Sequence, residues 1–144
     1  MTAITSQTDP LATVLRLQRA TNDHDLEALA ACFAETYVNE TPAHPSRSFV
    51  GREQVRSNWT RILAAVPDLT STMVAFVVSG DTVWAEWAWT GNRRDGHAHD
   101  MRGITVTTVR DGMISAARFY MEPVLRDETG IDDAIRQATT AVPA

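Results

Sequence analysis

Apolar residues in the N-terminal part of the chain recur at the spacing of an α-helix. Asp9-Pro10 is typical of a helix start, because aspartate caps free N–H groups and proline fits the first turn. Leu11, Val14 and Leu15 then share one helical face. We therefore predict an amphipathic first helix from Pro10 onward.

Two more helices and one strand are predicted before the pattern changes. Asp25 caps the second helix, whose buried stripe consists of Leu26, Leu29 and Phe33. Residues 37–41 are typical of a short strand, and residues 42–46, with two prolines, of a loop. The third helix follows and ends at Pro67, and its apolar positions give the clearest helical signal in the chain. These positions are Val55, Trp59, Ile62, Leu63 and Val66.

From residue 71 onward the apolar period is two, and β-branched residues become frequent. Strands are predicted at 71–79, 82–92, 97–110 and 113–123. Asp111-Gly112 is the strongest hairpin signal, because both residue types tolerate positive φ. Consecutive strands joined by tight turns form an antiparallel meander. A last helix is predicted over 127–140, with Ile131, Ala134, Ile135 and Ala138 on one face.

Helices followed by a long meander predict an α+β fold in which a curved antiparallel sheet wraps around the N-terminal helices. We expect one domain over 1–144, with its core at 11–123. The wide end of such a cone is not filled by side chains alone, so it is expected to hold a pocket for a small molecule.

Composition and charge exclude several classes of function. The net charge is −5 without a basic cluster, which argues against nucleic acid as a partner. No apolar run reaches the roughly 18 residues of a membrane span, and residues 1–10 lack a signal-peptide pattern, so we expect a cytoplasmic protein.

All thirteen basic residues are arginine, which rules out a lysine Schiff base, lysine-anchored pyridoxal phosphate and a Walker lysine. The arginine bias suggests a bacterial source. No cofactor is expected. The one cysteine, Cys32, fits a small buried residue in a helical pattern.

Several short motifs occur in a recognisable order between residues 11 and 123. They are Asp25-Leu26-Glu27-Ala28-Leu29 with Phe33, Tyr37-Val38-Asn39, Gly51-Arg52-Glu53 with Trp59, Pro67-Asp68-Leu69, Arg102-Gly103-Ile104-Thr105-Val106, Val109-Arg110-Asp111-Gly112-Met113-Ile114 and Arg118-Phe119-Tyr120-Met121-Glu122-Pro123. In their order and spacing the chain resembles the SnoaL-like branch of the nuclear-transport-factor-2-like superfamily. The resemblance implies a cone-shaped fold with a small-molecule pocket.

Proteins similar to this branch include polyketide cyclases, ketosteroid isomerases, dehydratases, epoxide hydrolases and non-catalytic binders. In the cyclases an acidic residue on the last strand is the general base, and Glu122 is its closest match here. The family often has His where this chain has Glu40. At the epoxide hydrolase positions this chain has Trp87, Trp89 and Phe119, which argues against epoxide opening.

Strand alternation gives a candidate catalytic set, although it does not say which sheet face lines the pocket. On the last strand Glu122 shares a face with Ile114, Ala116, Arg118 and Tyr120. A carboxylate in an apolar cone has a raised pKa and can take a proton beside a carbonyl. The candidate catalytic residues are Glu122, Tyr120, Asp100, Arg102 and His99. The candidate substrate-binding residues are Trp59, Trp84, Glu86, Tyr37, Asn39 and Arg118. A simpler alternative is that Arg102 forms an ordinary cross-strand ion pair with Glu86 or Glu122.

Histidine and tryptophan each allow two interpretations. His97 and His99 point the same way along a strand, but their position at a turn favours solvated residues over a metal site. Trp84, Trp87 and Trp89 alternate faces, so both faces of the sheet need covering. That favours a homodimer through the outer face, whereas stacking of Trp84 or Trp59 on a ligand is the alternative.

The leading functional hypothesis is therefore a cofactor-independent enzyme acting on a hydrophobic, carbonyl-bearing small molecule. Its reaction would be a proton transfer such as aldol cyclisation, isomerisation or dehydration. The alternative is a non-catalytic protein that binds such a molecule.

Overall fold

Two aspartate caps and one glycine set where the N-terminal helices begin. In the computed structural model, which describes residues 9–140, the backbone N–H of Leu11 donates to Asp9 Oδ1 (3.0 Å), as predicted. The N–H of Ala28 donates likewise to Asp25 Oδ1 (3.0 Å). Gly51 takes a φ of +107° immediately before the third helix, which glycine adopts without strain. The helices within the described residues are α1 (Pro10–Asn22), α2 (Leu26–Ala31), α3 (Arg52–Ala65) and α4 (Ile131–Thr139).

Six strands of the described chain form one curved sheet in the order β2-β1-β6-β5-β4-β3. The strands are β1 (Phe33–Glu40), β2 (Phe49–Val50), β3 (Thr70–Ser79), β4 (Thr82–Asn92), β5 (Ala98–Arg110) and β6 (Met113–Pro123). The α+β architecture and the antiparallel meander of β3 to β6 are confirmed. The predicted hairpin forms at Asp111-Gly112, where φ is +53° and +75°.

Four details differ from the prediction. β1 pairs with β6 in parallel, so the sheet is mixed rather than wholly antiparallel. Phe33 starts β1 instead of ending the second helix, although it is buried as expected. The two-residue strand β2 was not predicted. α4 starts at Ile131, after Gly130, rather than at residue 127.

A β-bulge in β6 decides which side chains face the helices. Thr108 pairs with Ala116 while Val109 pairs with Ile114, so Ser115 is an extra residue in β6. The alternation therefore slips, and Ile114 faces the helices together with Ala117. The prediction that Ile114 shares a face with Ala116 was wrong for this reason.

The core lies between the helices and the inner, concave face of the sheet. Its most deeply buried large side chains include Leu29, Tyr37, Val83 and Ile114. Cys32 belongs to this core, as expected from its position in the apolar pattern. Residues 1–8 and 141–144 lie outside the described residues, including most of the polar N-terminal segment. No helix in residues 9–140 is long and apolar enough to cross a membrane.

Candidate functional site

The inner face of the sheet forms the wall of two adjoining cavities. The inner cavity has a volume of about 40 Å³. It is lined by Val14, Leu17, Gln18, Thr21, Phe33, Tyr37, Trp59, Ser71, Trp87, Trp89, Thr105, Thr107, Ile114, Ala117 and Phe119. Most of this lining is aromatic or aliphatic, which suits an apolar ligand group.

The outer cavity is larger, with a volume of about 180 Å³. It is lined by Phe33, Tyr37, Asn39, Thr41, Arg47, Phe49, Val55, Asn58, Trp59, Ile62, Trp89 and Phe119. The two cavities share five aromatic residues, namely Phe33, Tyr37, Trp59, Trp89 and Phe119. We refer to these five as the aromatic partition.

Aromatic contacts hold the partition together. The rings of Trp59 and Trp89 lie 5.7 Å apart at 72°, and those of Trp89 and Phe119 lie 6.4 Å apart at 57°. On the other side, Phe33 and Tyr37 meet edge to face at 4.8 Å. Tilted and edge-to-face pairs of this kind are favoured by the ring quadrupoles. These contacts join α3 to β4 and β6, while the two aromatic residues of β1 contact each other, and all five side chains shape both cavities.

A short chain of hydrogen bonds runs along the wall from Tyr37. The Tyr37 hydroxyl donates to Asn39 Oδ1 (2.8 Å), and Asn39 Nδ2 donates to Thr41 Oγ1 (3.2 Å). Burial raises the pKa of Tyr37, because the phenolate would lose its hydration there. The phenol is thus held protonated and directed at the Asn39 amide, and it orders side chains that line the outer cavity.

A second buried hydrogen bond fixes the deepest tryptophan. Trp87 Nε1–H donates to Thr105 Oγ1 (2.8 Å), and both residues are buried. This bond satisfies the indole N–H within an otherwise apolar wall.

Neither cavity is lined by a carboxylate or an imidazole from the described residues. Arg47 is the one charged residue among the described residues that line them. A general base would therefore have to act from the rim of the cavities, not from their walls.

Of the predicted substrate-binding residues, three lie in the cavity walls and three lie elsewhere. Trp59 and Tyr37 belong to the aromatic partition, and Asn39 lines the outer cavity. Trp84, Glu86 and Arg118 lie on the outer face of the sheet. The Arg118 guanidinium there sits 6.0 Å from the Trp84 ring centroid, which is a cation–π contact.

The predicted base and its neighbour Tyr120 also project from the outer face. Tyr120 is 43% exposed and has no place in either cavity lining. Glu122 Oε1 lies 2.8 Å from His44 Nε2, and both side chains are partly exposed. His44 belongs to the loop that carries Thr41 and Arg47 to the outer cavity. Glu122 therefore lies outside the cone, in contact with the loop that also carries Arg47.

Asp100 and Arg102 pair with each other on the outer face. Arg102 Nε donates to Asp100 Oδ1 (3.0 Å), and Arg126 donates to the other carboxylate oxygen. The hydrogen bonds from Arg126 and then Arg102 lower the pKa of Asp100. Arg102 stands opposite Glu122 in the strand register, yet its ion pair is with Asp100 rather than with Glu86 or Glu122. Asp100 thus carries a stabilised negative charge and is a poor hydrogen-bond donor to an enolate oxygen.

The two histidines of β5 and its turn differ in environment. Burial, followed by the positive charge of Arg93, lowers the pKa of His99. His99 lines a groove with Arg93 and Arg126 at the end of the sheet, outside both cavities. His97 Nδ1 lies 3.1 Å from Asp95 at the turn. Among the described residues no group of three or more side chains is placed to hold a metal ion.

Sequence reasoning missed lining residues from α1, from the loop after β1 and from α3. Leu17 and Gln18 face the inner cavity, and Arg47 and Asn58 line the outer one. The helical spacing of Leu17 with Val14 and Thr21 was an available signal for α1. No sequence signal marked Arg47, because it follows two prolines in a loop.

Several solved structures share this fold. Wild-type IdmH from Streptomyces antibioticus, provisionally assigned as a polyketide cyclase, is 26% identical over 78% of this chain and 91% of its own, with a TM-score of 0.68. RV0760c from Mycobacterium tuberculosis, in complex with estradiol-17beta-hemisuccinate, is 23% identical over 77% and 92%, with a TM-score of 0.67. A provisionally assigned isomerase from Bacillus subtilis is 21% identical over 82% and 90%, with a TM-score of 0.71. The similarity to RV0760c and to the Bacillus subtilis protein is below 25% identity and shows a shared fold alone.

A search of curated proteins found no match. The family model described as the SnoaL-like domain matches residues 14–117, which is well over half of the 144 residues. Together with the fold and its apolar cone, this match shows that the chain belongs to the SnoaL-like domain family.

Proposed function

We propose that this protein binds a hydrophobic, ring-bearing small molecule in its two cavities without transforming it. The observation that carries the proposal is an aromatic cavity wall with no carboxylate or imidazole among its described residues. Proton transfer needs an acid or base within hydrogen-bond reach of the reacting atom. Binding needs only apolar contact and a few placed polar groups, which this wall supplies.

The size of the cavities indicates the size of the ligand. A dry apolar cavity of about 150 Å³ holds one benzene molecule. The outer cavity, at about 180 Å³, matches one ring, while the inner cavity of about 40 Å³ takes only a small substituent. The outer cavity is open to solvent on one side, so a second fused ring can lie at its mouth, whereas a larger polycyclic ligand would have to turn side chains of the aromatic partition. RV0760c has been solved with a steroid ester, which supports a ring-bearing ligand for this scaffold.

A pair of neighbouring alanines provides a sharp test. Ala117 lines the inner cavity, whereas Ala116 points to the outer face. Ala117→Val should fill the inner cavity and weaken a ligand that reaches into it by about tenfold, since two buried methyl groups compete for the same space. Ala116→Val adds the same volume outside and should leave affinity unchanged.

The ligand itself can be found by thermal shift with a panel of cyclic ketones, enones, lactones and epoxides. A ligand that binds only the folded protein raises the melting temperature by mass action. Equal affinity of both valine variants for the hit would place the ligand outside the inner cavity. No shift across the panel would count against a small-molecule binder.

A second function, proton transfer with Glu122 as the base, is favoured by its contact with His44. Glu122 Oε1 lies 2.8 Å from His44 Nε2, and a carboxylate paired with an imidazole can pass a proton to or from a carbonyl compound that projects from the outer cavity. Glu122→Gln should then abolish turnover of a bound carbonyl compound and keep its affinity. Glu86→Gln, on the same sheet face, is the matched control. Unchanged turnover in Glu122→Gln would remove Glu122 from the mechanism.

The outer face of the sheet is proposed as a homodimer contact. Val77, Trp84, Ile104 and Tyr120 expose large apolar surfaces there, and large exposed patches commonly mark association sites. Ile104→Glu should shift the protein towards monomer in sedimentation velocity. The control Val50→Glu changes an exposed residue of the short edge strand and should not. A wild-type protein that is monomeric at tens of micromolar would contradict the proposal.

A further inference from the structure

The rim of the outer cavity contains one positive charge that no carboxylate neutralises. Arg47 lines this cavity, and among the described residues no acidic side chain lies within ion-pair distance of it. Most other arginines of the described chain are paired, for example Arg52 with Glu35 and Arg102 with Asp100. An unpaired guanidinium beside an aromatic cavity is a ready partner for a ligand anion.

The loop that carries Arg47 is held in place from several sides. Arg47 ends a 3₁₀ helix (Pro45–Arg47), and its backbone N–H donates to His44 O (2.9 Å). The N–H of Thr41 donates to Ser48 Oγ (3.0 Å), which closes the loop on the end of β1. His44 in turn contacts Glu122 on β6 at 2.8 Å. These contacts hold the guanidinium-bearing backbone at the rim before any ligand arrives.

Two neighbouring polar side chains of the outer cavity, Thr41 and Asn58, have a donor group that no hydrogen bond among the described residues uses. Asn39 Oδ1 already accepts from Tyr37, and Thr41 Oγ1 already accepts from Asn39, so the Thr41 hydroxyl keeps its proton for another acceptor. Asn58 Oδ1 already accepts from Gln54, which leaves the Asn58 amide nitrogen to donate. Donors from three side chains, one of them cationic, favour an oxyanion over a carbonyl or an amine.

We propose that Arg47, assisted by Thr41 and Asn58, binds the carboxylate of an amphipathic ligand whose ring lies against the aromatic partition. A single guanidinium matches a monoanion, so a carboxylate fits the charge better than a phosphate dianion. This inference rests on the proposed binding function and adds the chemical class of the ligand. Arg47 is then a specificity residue, because it separates acids from their neutral analogues.

Two probes of the same shape test the assignment, namely 2-naphthoate and its neutral amide, 2-naphthamide. We expect wild type to bind naphthoate about tenfold more tightly than naphthamide, as measured by quenching of tryptophan fluorescence and by calorimetry. Arg47→Gln should lose this preference while its affinity for naphthamide stays within about twofold of wild type. Arg47→Lys keeps the charge without the planar fork and should fall between them.

The matched control is Arg61→Gln on α3, an exposed arginine that lines neither cavity. It makes the same change in net charge and should retain the wild-type preference. The affinity of wild type for naphthoate should also fall between 50 mM and 500 mM salt, and Arg47→Gln should lose most of that dependence.

The outcomes separate this inference from the proposed function. If naphthamide binds as tightly as naphthoate, or if Arg47→Gln keeps the preference, the carboxylate assignment is overturned while the binding function stands. If Arg61→Gln loses the preference as fully as Arg47→Gln, net charge rather than Arg47 is responsible and the assignment is again overturned. If neither probe binds at millimolar concentration, both the assignment and the proposed ring-binding function fail.

Discussion

Replacing Tyr37 with phenylalanine should reveal how much the buried hydrogen-bond chain stabilises the fold. Tyr37 is 1% exposed and Asn39 is 5% exposed, and the hydroxyl donates to Asn39 Oδ1 at 2.8 Å. Tyr37→Phe keeps the ring contacts with Phe33 and Phe49 but leaves Asn39 Oδ1 without its donor. A buried acceptor left without a partner costs about 1–2 kcal/mol. At pH 7 the variant should unfold more easily by that amount.

At sufficiently alkaline pH, Tyr37→Phe should be more stable than wild type rather than less stable. Burial raises the pKa of Tyr37, whereas in the unfolded chain a tyrosine titrates near pH 10. Above about pH 10 the unfolded chain therefore releases a proton that the folded protein retains, and stability falls with rising pH. The stabilisation that results from the raised pKa of Tyr37 is complete below the pKa that tyrosine has in the unfolded chain. Above that pH it is lost by up to about 1.4 kcal/mol per pH unit.

The variant lacks this titrating group, so its stability should fall less steeply. Tyr37→Phe starts about 1–2 kcal/mol below wild type, and that deficit closes at about 1.4 kcal/mol per pH unit. The two stability curves should therefore cross between about pH 10.5 and 11.5. Other groups that titrate in this range, such as the buried Cys32 thiol, whose pKa burial raises, are common to both proteins and cancel in the difference.

Urea unfolding followed by tryptophan fluorescence from pH 7 to 11.5 measures both effects. Tyr120→Phe removes the same hydroxyl from a 43% exposed position and should change stability at pH 7 by less than about 0.5 kcal/mol. Equal stability of Tyr37→Phe and wild type at pH 7, or parallel curves up to pH 11.5, would refute the argument. The first result would mean that Asn39 finds another donor, and the second that Tyr37 titrates normally.

Two further predictions concern stability. Gly103→Ala should destabilise the protein by more than about 2 kcal/mol, because its φ is +153° and the new Cβ would lie 2.0 Å from the Tyr120 carbonyl oxygen. Gly130→Ala meets nothing within 4 Å and should be near neutral in the same urea titration. Hydrogen bonds from an asparagine of β4 lower the pKa of Asp68. The ionised Asp68 side chain therefore stabilises the fold above about pH 4, and this stabilisation is lost as the pH falls further. Asp68→Asn should therefore show a shallower loss of melting temperature than wild type between pH 5 and 2, and equal slopes would contradict this.

The sheet was predictable because its signals are local. Turn residues such as Asp111-Gly112 need only their own backbone to adopt positive φ, and alternation needs only neighbouring residues. The parallel pairing of β1 with β6 was not predictable in this way. It joins segments about 80 residues apart, and no turn between them sets the register.

The candidate site was harder to predict because both faces of the sheet carry large apolar groups. Trp84 on the outer face is 46% exposed, whereas Trp87 on the inner face is buried. The alternation of side chains along a strand assigns residues to two faces of the sheet, but it does not say which face the helices cover. The bulge at Ser115 adds a slip of one residue, and nothing in the local sequence distinguishes that serine from its neighbours. Of the predicted binding residues, those in the cavity walls, Trp59, Tyr37 and Asn39, come from α3 and β1 rather than from the meander of β3 to β6.

The separation of charge from the cavities has a physical cause and a functional consequence. An ionised side chain in the aromatic wall would lose its hydration, and only a pairing partner would offset that cost. The chain instead places Glu122, Asp100 and Arg102 on the outer face, where water and neighbouring charges stabilise them. Within residues 9–140, Arg47 is the one charged side chain that lines a cavity, and it lies at the rim of the outer cavity in the loop that also holds His44 against Glu122. Recognition of an acidic group and any proton transfer would therefore take place at the same rim, with the ring of the ligand fixed in the cone behind it.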